Sequence, residues 1–156
     1  MLLLTQLCQD LGLGRVSGFY RDRLFALAIV VGFVVVGALH LLKTGHTPVA
    51  VVNLSMLVKW LLWAPVLEEL LFRGIVQGQL QRYFHSSSNV MGLSCANWVT
   101  SLLFTGIHFL HHPPLWAASV LLPSLVFGFF RDRHDSVVPP IALHCIYNAQ
   151  FLFLLG

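Results

Sequence analysis

Three groups of polar residues stand inside otherwise apolar stretches, and their types are those of acid–base chemistry. Glu68 and Glu69 fall together in the segment APVLEELLFRG (64–74), with Arg73 four residues after Glu69. Phe104 and His108 are four apart, and so are His144 and Asn148. On a helix that spacing puts two side chains on one face. Glu69 and Arg73 are therefore set for an ion pair, while Glu68, turned about 100° round the helix, points elsewhere. An acid, two histidines and a carboxamide could act as a general base, a partner for water and two donors to an oxyanion.

Placing such residues in apolar helices is costly. A carboxylate near the bilayer centre costs about 2.5–3.5 kcal/mol, and each neighbouring leucine returns only about 0.3–0.6 kcal/mol. Each group alone also has a plainer reading. The glutamates could sit in the membrane interface beside Arg73. His108 could be a hydrogen-bonded packing residue. His144 and Asn148 could be polar contacts between helices. What sets them apart is that three separate apolar helices each carry one.

The elements that must hold these residues follow from composition. Of the 156 residues, 57% are apolar and 10% charged, with a mean hydropathy of +0.80. A soluble domain carries about 25% charged residues. A soluble enzyme, a disordered regulator and a disulfide-rich secreted module are excluded. The expected fold is all-α, a multi-pass transmembrane bundle of about five spans. Met1–Gly14 is half polar and reads as a short interfacial helix, with no positive segment of a secretory signal. The spans fall at about 24–42, 49–84, 90–110, 115–130 and from Pro139–Pro140 to the end. Residues 1–23 are thus an interfacial segment and 24–156 a single transmembrane domain.

The net charge of +3 invites no nucleic-acid partner, because the basic residues form no patch with interleaved aromatics. Arg15, Arg21, Arg23, Arg73, Arg82, Arg131 and Arg133 fall on one side of the five-span arrangement. Lys43 is the basic loop residue on the other side. Positive-inside bias then puts the N-terminus in the cytoplasm. Cys8, Cys95 and Cys145 are scattered among apolar neighbours, giving neither a disulfide framework nor a zinc spacing. No metal and no cofactor is expected.

In their order, E-E-x-x-x-R at Glu68–Arg73, F-x-x-x-H at Phe104–His108 and H-x-x-x-N at His144–Asn148 resemble the CPBP family of glutamic intramembrane proteases. This is the family of the CAAX-processing endopeptidase of prenylated proteins and of bacterial relatives once called abortive-infection proteins. The resemblance covers about Val58–Gly156, which would be the catalytic core. It departs before the third motif, where many members carry T-G-S-[LIV]-W and this chain has His134–Asp135–Ser136–Val137–Val138.

The resemblance implies an intramembrane endopeptidase acting on a membrane-associated protein or peptide. Glu68 would be the general base and His108 would hold the same water. His144 and Asn148 would donate to the oxyanion, with Glu69, Arg73 and Phe104 in support. Two other functions stay open on the residues alone. One is a membrane metallohydrolase built on the histidines with Glu68. The other is a membrane protein that binds a hydrophobic peptide without cutting it, as an immunity factor would.

Overall fold

The computed structural model describes residues 11–13, 18–42, 53–84 and 89–155. Most of the expected interfacial helix, the polar turn at Lys43–Pro48 and Cys8 lie outside them. The described chain is all-α apart from one short hairpin.

Helix α1, Arg23–Leu42, begins where the Asp22 carboxylate accepts the Leu24 N–H at 3.0 Å, an N-cap that satisfies an otherwise orphaned donor. Asn53 does the same for the helix that starts at Leu54, α2 (54–83), accepting from the Met56 N–H at 2.9 Å. Helix α2 runs continuously over 54–83, but its winding is uneven. Two wide π segments, Lys59–Trp63 and Leu70–Gln77, flank the α-helical Ala64–Glu69 that carries both glutamates. Such widenings are uncommon and collect at functional sites.

Strands β1 (Asn89–Val90) and β2 (Leu93–Ser94) pair antiparallel across Met91 and Gly92, both with positive φ. Helices α3 (Cys95–His108), α4 (Pro114–Ser119), α5 (Leu121–His134) and α6 (Val138–Leu155) follow. Prolines 139 and 140 fall in the first turn of α6, where a missing N–H costs nothing.

Two span boundaries expected from sequence are corrected. The stretch 90–110 is not helical throughout, because its first residues form the hairpin, which the Trp98 indole ties down through the Val90 carbonyl at 3.0 Å. The 14 residues of α3 reach about 21 Å, short of a full crossing. The span at 115–130 does not stop at Arg131–Asp132–Arg133 but continues to His134. Those charges are used inside the protein: Asp132 accepts from Gln77 at 2.6 Å, from Gln81 and from Ser94 at 2.7 Å.

Among the described residues, Arg23–Leu42 and Pro114–His134 are long and apolar enough to cross a membrane. The packing has the polarity of a protein in lipid. Glu69, Arg73, Gln77, Asn97, Thr100, Ser101 and Ser124 have no exposed surface, while Val34, Trp60, Leu67, Leu102 and Leu122 are more than half exposed. Ionisable residues in such a bundle face its interior because the outside offers no water to solvate them.

Two glycines set the helix spacing. A Cβ on Gly128 of α5 would collide with the Asn97 carboxamide of α3, which donates to the Leu125 carbonyl at 3.0 Å. A Cβ on Gly32 of α1 would meet Tyr147 and Gln150 of α6 at 2.6 Å. Tyr147 can therefore reach the Ala28 carbonyl at 2.9 Å. Phe25, Phe127, Phe130 and Leu143 fill the apolar centre between α1, α5 and α6.

Candidate active site

Helix α2 divides its two glutamates as the 100° rotation between neighbours requires. The Glu69 side chain turns inward and is fully buried, and Glu68 lies on the open side with 37% of its side chain exposed. Glu69 Oε1 accepts from Arg73 Nη1 at 3.2 Å along the same helix. A buried pair needs further partners to offset the desolvation of both ions. Arg73 Nη2 donates to the Ser124 carbonyl at 2.9 Å and to Ser124 Oγ at 2.7 Å. Its guanidinium carbon stands 4.7 Å from the Phe104 ring centre and 5.5 Å from that of Phe127, within cation–π range.

Helix α6 brings His144 to this pair. Its Nδ1 lies 2.8 Å from Glu69 Oε1. A carboxylate oxygen that also accepts from Arg73 calls for a proton on Nδ1. The other nitrogen, Nε2, is 3.8 Å from Glu68 Oε2, beyond hydrogen-bonding distance but within ionic contact. One imidazole thus touches both glutamates. Its plane is fixed by stacking on Phe127 at 4.8 Å and by the edge of Phe104 at 6.2 Å.

Helix α3 supplies Phe104 and His108, whose rings are 4.7 Å apart. His108 Nδ1 is 2.9 Å from the Phe104 carbonyl. A carbonyl can only accept, so Nδ1 carries the proton and Nε2 of the neutral ring is left as an acceptor. Asn148, one turn beyond His144, donates through Nδ2 to the Trp60 carbonyl at 2.9 Å.

Residues 50–150 match the family model for type II CAAX prenyl endopeptidase Rce1-like proteins, a stretch that takes in all three motifs. The chain belongs to that family. No curated protein and no solved structure matches it significantly. The Rce1-like family is one of membrane proteases that act on prenylated proteins, so the chain is a membrane protein of endopeptidase type.

In this Rce1-like chain, Glu69, Arg73, Phe104 and His144 are in direct contact, with Glu68 and His108 beside them. Asn148 is held against Trp60. Ser124 and Phe127 of α5 were missed from sequence, although a serine within LLPSLVFG is the kind of small polar residue that marks an internal face. Arg131 was also missed: its Nε donates to the Arg73 carbonyl at 3.2 Å. Among the described residues, no three His, Cys, Asp or Glu side chains are grouped to hold a metal ion. Cys95 and Cys145 carry no disulfide.

Proposed function

We propose that the chain is a glutamic intramembrane endopeptidase in which Glu68 activates the attacking water. The observation that carries this reading is the single imidazole of His144 contacting both glutamates. Its contact with Glu69 fixes the ring, and its other nitrogen and the open Glu68 carboxylate then face the same space.

Water is held between Glu68 and His108 Nε2, the nitrogen left as an acceptor. Glu68 takes a proton as the water oxygen bonds to the peptide carbonyl carbon, and the carbonyl oxygen becomes an oxyanion. His144, with a proton on each nitrogen, donates to Glu69 and the oxyanion at once, and the second N–H of the Asn148 carboxamide is the other donor. Glu68 then returns its proton to the departing amine as the C–N bond breaks. No metal or cofactor takes part in this scheme.

We further propose a bundle of about five spans forming one transmembrane domain over 24–156, in which α3 by itself is too short to cross fully, with 1–23 at the interface. The core at about 58–156 nearly coincides with the family match. The N-terminus lies in the cytoplasm, and the substrate is a membrane-associated polypeptide.

The test is cleavage of a prenylated CAAX peptide by the protein reconstituted in vesicles. Glu68→Gln keeps shape but cannot accept the proton, so turnover should fall by about 10²–10⁴ while substrate still copurifies. Activity that survives chelation and dialysis fits the scheme. Activity lost on stripping metal and restored by zinc points to the metallohydrolase, and no cleavage by the wild type under any condition points to the binding protein.

A further inference from the structure

We infer that Asn148 is a positioning residue that supplies the hydrogen bond Pro65 withholds from the helix carrying Glu68. In the wide turn Lys59–Trp63, the Ala64 N–H reaches back five residues to the Lys59 carbonyl. The Trp60 carbonyl has thereby lost its α-helical donor. In the wide register of that turn its donor would be residue 65, which is proline and has no N–H. The Asn148 amide takes that place at 2.9 Å. Pro65 itself is buried and in the first turn of Ala64–Glu69, so the proline, the carbonyl and the carboxamide fix how that segment leaves the wide turn. Glu68 lies in that segment. Asn148 thus ties α6 to the backbone of α2 and sets the direction of the Glu68 side chain. This inference rests on Glu68 as the reacting carboxylate.

A double-mutant cycle tests it. Pro65→Ala restores a backbone N–H, so the Trp60 carbonyl can be satisfied within the helix. Asn148→Ala alone removes both the tie to the Trp60 carbonyl and an oxyanion donor, and should lower kcat by about 10²–10³-fold or more with little change in KM. In the Pro65→Ala background the same substitution should cost at least about threefold less, the remaining loss being that of the oxyanion donor. An equal loss in both backgrounds overturns the inference and leaves Asn148 acting on the substrate alone. Hydrogen exchange of the intact protein covers the case in which Pro65→Ala does not fold. Amides of 61–64 and 66–68 should exchange faster in Asn148→Ala, and unchanged exchange overturns the link. Faster exchange in an enzyme whose Glu68→Gln form still cleaves supports the link and sinks the glutamate reading instead.

A separate feature carries a second proposal. A cleft of about 590 Å³ opens where α1 begins and α5 ends, lined among others by Arg21, Asp22, Arg23, Leu24, Arg133 and His134. Three arginines face one carboxylate. Asp22 Oδ2 already engages both Arg133 and His134, so the cleft keeps a positive excess. Arg23 opens one apolar span and His134 closes another, which places the cleft at a membrane surface. Beside it, Leu27, Val30, Val31 and Val34 form an exposed apolar flank along α1. We propose that the cleft holds the phosphate of an anionic phospholipid whose acyl chain lies along that flank.

Native mass spectrometry of the protein from nanodiscs of mixed phosphatidylglycerol and phosphatidylcholine tests this. The wild type should retain phosphatidylglycerol selectively, and the exposed pair Arg21→Gln/Arg23→Gln should reduce that retention by about tenfold or more. Equal retention of both lipids, or no difference in the double variant, overturns the proposal. Displacement of the lipid by millimolar inorganic phosphate also overturns it, since the cleft would then be a site for free phosphate.

Discussion

Glu69 and Glu68 are neighbours in the chain with opposite surroundings. The Glu69 side chain has no exposed surface and accepts from Arg73 and His144, and through Arg73 it is tied to Ser124 of α5. Glu68 is 37% exposed on its side chain, and its Oε2 lies 3.8 Å from His144 Nε2. The difference teaches how the site divides labour. A carboxylate whose one oxygen is held by two buried donors, Arg73 and His144, is fixed and serves as structure. A carboxylate on the open side of the same turn retains lone pairs for a water and a substrate. Helix geometry alone makes the division, since adjacent residues are about 100° apart.

Exchanging the two roles gives the largest expected effects. Glu68→Gln should lower kcat by about 10²–10⁴ and leave thermal unfolding in detergent within a few degrees of wild type, because it removes no buried partner. Glu69→Gln should do the reverse, lowering the melting temperature while leaving measurable turnover. A Glu69→Gln protein as inactive as Glu68→Gln yet fully stable would erase the distinction. Arg73→Met strips the buried carboxylate of its counter-ion and should cost about 3–5 kcal/mol of stability, read as loss of folded protein on size exclusion after mild heating.

Away from the glutamates the effects shrink. Gly128→Ala forces a methyl against Asn97 and should cost about 1–3 kcal/mol, with kcat altered less than stability. An unchanged melting temperature would show that α3 and α5 can separate without penalty. The smallest effect lies outside the spans. The Arg133 guanidinium holds the Asp22 carboxyl below the usual carboxylate range, against the opposing effect of desolvation. A depressed folded-state value contributes stability above the ordinary carboxylate pKa, and this is lost as pH falls through the depressed value. The melting temperature should therefore drop below about pH 4, and the acid limb should be shallower in Asp22→Asn.

Much of this was legible beforehand because it depends on short-range geometry. The i,i+4 spacing of Glu69 and Arg73 dictated their pairing, and the same spacing put Phe104 on His108. The cost of charges in apolar helices required that the polar residues face inward, as Glu69 and Arg73 do. Boundaries were less legible. Arg131–Asp132–Arg133 looked like a solvated helix end, but Asp132 is consumed by Gln77, Gln81 and Ser94, partners 38 to 55 residues away in the chain. The hairpin at Asn89–Ser94 was hidden because a four-residue pairing leaves almost no periodic signal within an apolar run.

By itself, the sequence determined that the chain is helical and apolar, which residues share a face on each helix, and the order of the three motifs that mark its family. These are properties of composition and of the 3.6-residue turn, and they need no knowledge of the neighbouring helix. Only the tertiary structure decided that His144 contacts both glutamates, that Ser124 and Phe127 complete the Arg73 cage, and that Asn148 serves a carbonyl left open by Pro65. Each of these joins residues at least 51 positions apart, from the Arg73–Ser124 link to the Asn148–Trp60 contact at 88. Partners so far apart in the chain are set by how whole helices pack against one another, a property that spacing along any one helix does not carry.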